Sequence, residues 1–127
     1  MMSWEIARVA DHLKRQSARL CGGEGPRLPS LFLFTDGARE PDPLRAIARL
    51  PRGSGVVYRP YTHQAPQALG ERVAAACREA GHVLLVGRDA RLALKLQADG
   101  LHHPSWDAAS THPIPTTLRH RWLVTAA

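Results

Sequence analysis

Short apolar runs separated by helical segments are the feature of this sequence that most restricts its fold. Each run is about five residues long, the length and character of a strand buried on both faces of a parallel sheet. The runs occupy residues 31–35, 55–59, 82–86, 98–102 and 121–125. Because helical segments alternate with these runs, the sequence predicts successive βαβ units and an α/β fold.

The segments between the runs carry the start and stop signals of helices. Asp42 followed by Pro43 opens a helix, and the Ala-rich segment 66–80 is a second helix closed by Gly81. A third, shorter helix is predicted over residues 89–96, whereas segment 104–120 is rich in Pro, Ser and Thr and predicts only a poor helix. The residues expected to pack are Leu44, Ile47, Leu50, Leu92, Leu94 and Leu96.

An amphipathic helix is predicted over residues 4–20, ahead of the strand–helix units, with Ser3 as its N-cap. A Gly-rich stretch then ends this helix. We therefore divide the chain into a helix and linker over 1–26 and an α/β unit over 27–127. The apolar stripe of the helix needs burial, and the open side of the barrel is one surface that it could cover; the sequence alone does not decide this.

Two architectures fit the alternation of strands and helices: an open doubly wound sheet and part of a (β/α)8 barrel. A complete barrel takes about 200–250 residues, and this chain has 127. The prediction is an incomplete (β/α)8 TIM-barrel-like parallel sheet with an additional N-terminal helix. Its last strand would form an open edge.

Composition and charge exclude several classes of protein. The net charge is +6, but the arginines are scattered and aromatic residues are only 6%, so we predict no nucleic-acid partner and favour attraction to phosphorylated small molecules. No apolar run approaches the roughly 18 residues of a membrane span, and no secretory signal is recognisable, so we expect no membrane association and a cytoplasmic location. Cys21 and Cys77 lack the spacing of a disulfide scaffold or a metal clamp.

Ligands of parallel α/β folds bind at the C-terminal ends of the strands. Candidate functional residues therefore follow each apolar run: Thr35, Asp36, Arg59, Tyr61, Gly87, Arg88, His102, His103, Asp107 and Thr125. Adjacent residues of a strand point to opposite faces, so His102 and His103 are a poor metal pair. Asp36 serves either catalysis or the loop after its strand, and Asp99 is expected to serve a turn. Tyr61, His63 and Trp106 either line a pocket or cover the mouth of the barrel.

Two segments resemble the thiamine phosphate synthases and the related TenI-like proteins. Residues 31–36, Leu-Phe-Leu-Phe-Thr-Asp, are similar to the first-strand signature of that family. Residues 92–102, Leu-Ala-Leu-Lys-Leu-Gln-Ala-Asp-Gly-Leu-His, are similar to its Leu-Ala-Leu helix leading into Ala-Asp-Gly-x-His. The resemblance runs from about Leu31 onward and implies the first five strands of the barrel. It also implies Mg²⁺-dependent joining of an aminopyrimidine diphosphate to a thiazole phosphate, with release of pyrophosphate.

The resemblance also implies roles for particular residues. Arg59 matches an arginine that binds phosphate, Thr125 matches a serine that contacts a phosphate oxygen, and Asp107 matches a carboxylate that binds Mg²⁺. Arg88 stands where the family has a second Mg²⁺ carboxylate, and we expect its guanidinium to bind phosphate directly. In the family pattern Gln-x-Arg-x-Lys after the second strand, only Arg59 is kept here. Catalytic residues are not assigned.

These departures from the family pattern leave three functional readings open. The chain is a truncated or degenerate thiamine phosphate synthase-like transferase, or a non-catalytic phosphate-binding or regulatory TenI-like protein. In the third reading it is a fragment without activity that associates with another chain through a sheet edge, residues 31–35 or 121–126, which predicts a homo-oligomer.

Overall fold

The computed structural model describes residues 4–20, 28–107 and 122–127. Five strands alternate with helices as the sequence predicts. The helices are α1 (Trp4–Leu20), α2 (Pro43–Arg49), α3 (Pro66–Ala80) and α4 (Ala90–Lys95). The strands are β1 (Phe32–Phe34), β2 (Gly55–Tyr58), β3 (Val83–Gly87), β4 (Gly100–His103) and β5 (Leu123–Ala126). Short 3₁₀ helices cover Pro60–Thr62 and Ser105–Asp107.

All five strands are parallel, and they lie in the sheet in the order of the sequence, β1-β2-β3-β4-β5. One cluster of buried side chains joins α2, α3 and α4 to a single face of this sheet. Its members include Ile47, Val56, Tyr58, Val73, Cys77, Leu84, Val86, Ala93, Leu96 and Leu101. A doubly wound sheet reverses its strand order and carries helices on both faces, so that alternative is wrong. The described chain is a singly wound α/β sheet.

The face of the sheet that lacks these helices is concave. Phe34 on β1 and His102 on β4 meet edge to face, with ring centroids 5.3 Å apart. In a flat sheet these strands would lie about 14 Å apart, and side chains stand roughly perpendicular to the sheet. Their contact therefore requires the sheet to curl toward this face. Val57 and Leu85, on the strands between them, are buried on the same face.

Strands β1, β3, β4 and β5 each begin one or two residues later than predicted. For β3 and β4 the reason is that the first predicted residues belong to helix ends. Gly81 ends α3 with φ 71°, and the His82 N–H then bonds to the Cys77 carbonyl oxygen at 2.8 Å. The Ala98 N–H bonds in the same way to the Ala93 carbonyl oxygen at 2.9 Å, so β4 begins only at Gly100. The N–H groups of His82 and Ala98 thus bond to carbonyl oxygens in the last turns of the preceding helices, and strand pairing begins after these residues.

The predicted helices form, with local corrections. Asp42 and Asp89 cap α2 and α4 by accepting hydrogen bonds from the N–H groups of Leu44 and Leu92. Leu94 was expected to pack but is 45% exposed, because it points away from the sheet that buries Leu92 and Leu96. Within the three described ranges, none of the helices has both the length and the apolar character needed to cross a membrane. Ser3 and most of segment 104–120 lie outside those ranges.

The N-terminal helix does not cover an open side of the sheet. Ile6, Val9 and Leu13 remain about half exposed, so the stripe of α1 is not buried on an open side of the sheet. Helix α1 instead meets the loop before β2, where the Lys14 ammonium lies over Gly53, and it accepts a hydrogen bond from the Ser30 hydroxyl on the Ala10 carbonyl at 2.6 Å.

Candidate functional site

The C-terminal ends of β1 and β2 are tied together by Arg59. Its backbone N–H donates to the Thr35 hydroxyl at 2.9 Å, and its Nε donates to the Thr35 carbonyl oxygen at 2.6 Å. Its Nη2 lies 3.5 Å from an Asp36 carboxylate oxygen. Both side chains are about 30% exposed, so this ion pair lies at the surface of the strand-end site rather than in the core. Arg59 is therefore held in a fixed orientation at the strand end where the sequence predicts a phosphate ligand.

Asp36 shapes the loop after β1. Its Oδ1 accepts a hydrogen bond from the Ala38 N–H at 3.0 Å, which is the geometry of a turn stabilised by its first side chain. Its Oδ2 also faces Arg39 at 3.8 Å. Of the two roles that the sequence leaves open for this carboxylate, the loop role is the one with contacts in the structure.

Arg88 follows β3 directly, in the left-handed region with φ 65°. Its N–H bonds to the His102 carbonyl oxygen at 2.8 Å, which fixes its backbone against β4. Its guanidinium lies 5.0 Å from the centre of the Trp106 ring, within the range of a cation–π contact. Trp106 in turn meets Tyr61 edge to face at 5.5 Å. The Tyr61 ring lies over Gly87, where an added Cβ would come within 3.2 Å of it.

Tyr61 lies beside the segments that carry the two predicted phosphate-binding arginines, and it is 43% exposed. Its partial burial raises the pKa of its hydroxyl, while the positive charges of Arg59 and Arg88 both act to lower it. Asp36 offsets part of the charge of Arg59, whereas Arg88 stands at the end of the neighbouring strand. Positive charge at adjacent strand ends favours an anion there.

Thr125 and His102 form a second part of the site on the concave face. The Thr125 hydroxyl lies 2.7 Å from Nδ1 of His102, and the two residues are paired in the β4–β5 register. His102 is only 5% exposed. Burial, with His103 and Arg59 as further causes, lowers the pKa of His102. The lowered pKa favours the neutral imidazole, and the predicted phosphate contact of Thr125 competes with this hydrogen bond.

The predicted Mg²⁺ site receives no support from the described side chains. Asp107 ends the 3₁₀ helix Ser105–Asp107, but its side chain lies outside the described part of the structure. Across the described ranges, no three His, Cys, Asp or Glu side chains gather in a way that would hold a metal ion. A hard cation needs several oxygen ligands. The described side chains alone do not provide such a set, and Mg²⁺ binding by Asp107 stays a prediction.

The sequence located the strand ends but missed how they are connected. Thr35 holds Arg59 through both its hydroxyl and its carbonyl group, and His102 is the partner of Thr125. Position is the one sequence signal for these contacts. Thr35 and Arg59 lie at the C-terminal ends of two neighbouring strands, and so do His102 and Thr125. His102 lies on the concave face with Thr125, whereas Leu101 packs toward the helices, so neighbours along β4 do face opposite ways.

Known families offer no independent assignment of this site. No protein-family model matches the chain.

Proposed function

We propose that this chain binds a phosphorylated small molecule at the C-terminal ends of its strands, with Arg59 and Arg88 holding the phosphate. The observation that carries this proposal is the position of the two side chains: Thr35 holds Arg59 at the end of β2, and Trp106 lies 5.0 Å from the Arg88 guanidinium at the end of the neighbouring β3. Arg59 is oriented in advance by Thr35 and Asp36, so little side-chain entropy is lost when an anion arrives. In this proposal the chain is a TenI-like relative of the thiamine phosphate synthases, with a barrel-like sheet and a cytoplasmic location.

Binding without catalysis is the better supported of the two family activities. Catalysis of the family reaction has to neutralise a departing pyrophosphate, and one preorganised charge-stabilising group is commonly worth about 10²–10³ in rate. Here Tyr61 takes the place of the family's lysine, and Arg88 takes the place of one Mg²⁺ carboxylate. The first exchange removes one cation that would hold pyrophosphate. The second replaces a negative charge by a positive one that attracts phosphate, and it leaves Asp107 as the one remaining carboxylate for the metal.

Transferase activity remains the second candidate. One observation favours it: residues 92–102, the segment with the strongest family resemblance, fold as part of α4, a turn and β4, the order that the resemblance implies. Asp107 would then supply a Mg²⁺ ligand, and Mg²⁺ would stabilise the leaving pyrophosphate. Turnover of an aminopyrimidine diphosphate and a thiazole phosphate by the purified chain would establish this candidate.

A thermal melt with pyrophosphate tests the binding proposal directly. Ligand at 100 times its dissociation constant stabilises a fold by about 2.7 kcal/mol, so an upward shift of the midpoint is expected. The shift should survive a chelator if the arginines bind the anion themselves. Loss of the shift in the chelator would contradict direct binding by Arg88 and favour a metal at Asp107.

Matched variants separate the site from general positive charge. Arg88→Gln should weaken pyrophosphate binding by about tenfold or more, the effect of losing roughly 1.4 kcal/mol. Arg91→Gln removes the same charge from the exposed start of α4 and should leave binding unchanged. Equal weakening in both variants, or no midpoint shift in the unmodified protein, would refute the proposed site.

A further inference from the structure

Helix α1 exposes large apolar side chains that nothing described in this chain covers. Ile6, Val9 and Leu13 are 45%, 57% and 48% exposed. They lie at positions i, i+3 and i+7 and form one stripe, called here the α1 stripe. An isolated helix of this length is marginal in water, because most helical stability in proteins comes from packing an apolar face. The α1 stripe is therefore expected to have a partner.

The rest of the chain contacts a different side of α1. Among the described side chains of this helix, only Ala7, Ala10 and Lys14 are partly buried. They lie toward Ser30 and Gly53, the residues that α1 meets. With about 100° between successive residues of a helix, this contact side and the α1 stripe are about 100° apart. A partner can therefore approach the stripe on the side away from this contact, and Ala10 lies at the border between the two surfaces.

We propose that the partner is a second copy of this chain, joined through the α1 stripes of two parallel helices. Ile6 and Leu13 are seven residues apart, and Leu20 continues that spacing along the sequence, with Val9 between the first two. A seven-residue repeat keeps one seam facing a partner helix, as in two-stranded coiled coils, and Gln16, seven residues after Val9, is the polar position in this seam. An isologous contact of this kind needs only one self-complementary surface.

The parallel direction follows from where the sheet lies relative to the stripe. A two-fold axis along the helices places the two sheets on opposite sides of the helix pair. An antiparallel pair has its two-fold axis across the helices, which places both sheets on the same side and brings them toward collision. Since each sheet lies about 100° from its α1 stripe, the parallel arrangement leaves room for both.

The charges beside the stripe allow the same arrangement. Glu5, His12 and Arg19 follow one flank of the stripe at seven-residue spacing, while Ala10 and Ser17 follow the other. In a parallel pair each flank faces the opposite flank of the partner. Charged residues therefore lie beside Ala and Ser, and no two like charges oppose each other across the seam.

The size of the contact predicts a reversible dimer. A helix of this length is about 25 Å long, and two such helices bury on the order of 1,000 Å² in total, near the lower end for specific contacts. The fraction of dimer should therefore rise with protein concentration. Sedimentation equilibrium over a hundredfold range of concentration measures this directly.

Variants on opposite sides of α1 test the surface. Val9→Lys with Leu13→Lys should weaken dimerisation by at least tenfold, because it introduces like charges into the seam. Arg8→Gln with Arg15→Gln, on the polar side, should leave dimerisation unchanged. A monomer at every concentration would overturn the proposal. So would a dimer that persists in the lysine variant, since the contact would then lie elsewhere, for example at the edges of β1 or β5.

A cysteine variant tests the direction of the helices. In a Cys21→Ser background, Ile6→Cys places two thiols across the seam of a parallel pair, within the reach of a disulfide. Mild oxidation should yield a covalent dimer of this variant but not of Arg8→Cys. Cys77 does not interfere, because burial raises the pKa of its thiol to about 12. Cross-linking only in a mixture of Ile6→Cys and Gln16→Cys chains would show an antiparallel pair and overturn the proposed arrangement.

Discussion

Replacing Thr125 by valine separates a structural role of this residue from a role in binding phosphate. The Thr125 hydroxyl lies 2.7 Å from Nδ1 of His102, whose side chain is 5% exposed. Valine has nearly the same shape but offers only a methyl group at that position. The substitution therefore removes one hydrogen bond and leaves a buried ring nitrogen without this partner.

The expected loss of stability follows from that geometry. A buried polar group left without its hydrogen bond costs about 1–3 kcal/mol. For a chain of this size, a loss of about 2 kcal/mol lowers the melting midpoint by about 6–10 °C. Thr125→Ser keeps the hydroxyl and should cost less than half as much, because only a methyl group is removed.

Urea unfolding of the three proteins at pH 7.5 measures these differences, and pyrophosphate titrations of the same proteins measure binding. We expect Thr125→Val to lose stability and to retain pyrophosphate affinity within about twofold, a change of roughly 0.4 kcal/mol. If Thr125→Val is as stable as the unmodified chain but binds pyrophosphate weakly, the hydrogen bond to His102 is not what Thr125 provides. The direct phosphate contact predicted from the sequence would then be correct.

Two further predictions concern the buried histidines and the attachment of β5. Burial lowers the pKa of both His63 and His102 below the ordinary value of 6.5. The unfolded chain therefore binds more protons than the folded chain as the pH falls. The free energy of unfolding should be highest above about pH 6.5 and decrease as the pH drops below that value. Equal urea midpoints at pH 8 and pH 5.5 would contradict this. A Cβ added at Gly100 would lie 1.8 Å from the Leu123 carbonyl oxygen. Gly100→Ala should therefore cost at least about 3 kcal/mol and remove hydrogen-exchange protection from β5. Unchanged protection of the Leu123 N–H, which donates to the Asp99 carbonyl oxygen at 2.9 Å, would show that the sheet accommodates the methyl group.

The helices and strands can be predicted from the sequence because their signals are local. Asp42 and Asp89 cap the helices that they precede, and Gly81 ends α3 in the left-handed conformation that its lack of a side chain permits. A continuous apolar run such as residues 82–86 reports a strand buried on both faces. Misplaced strand starts, at His82 and Ala98, arise where a helix cap and a strand compete for the same backbone groups.

Only the approximate location of the candidate site can be predicted from the sequence. Position at a strand end selected Arg59, Arg88 and Thr125 without any knowledge of strand order. The sequence does not say that Thr35 orients Arg59, or that His102 takes the Thr125 hydroxyl, because these contacts join residues 23 or 24 apart through the register of neighbouring strands. Which strand lies beside which is a property of the assembled sheet.

The sequence alone determined the alternation of strands and helices and the helix caps, since each depends on neighbours within a few residues. It also determined the excess of positive charge, which depends only on composition. The choice between singly and doubly wound sheets was decided only by tertiary structure, because the same βαβ pattern supports both strand orders. The packing of the N-terminal helix was also decided only by the tertiary structure. Its apolar stripe indicates that α1 needs a partner. Only the packed chain shows that α1 meets the segments before β1 and β2 through Ala10 and Lys14 and leaves Ile6, Val9 and Leu13 exposed. Amphipathicity encodes the need for burial, and the surface that meets it depends on where the rest of the chain folds.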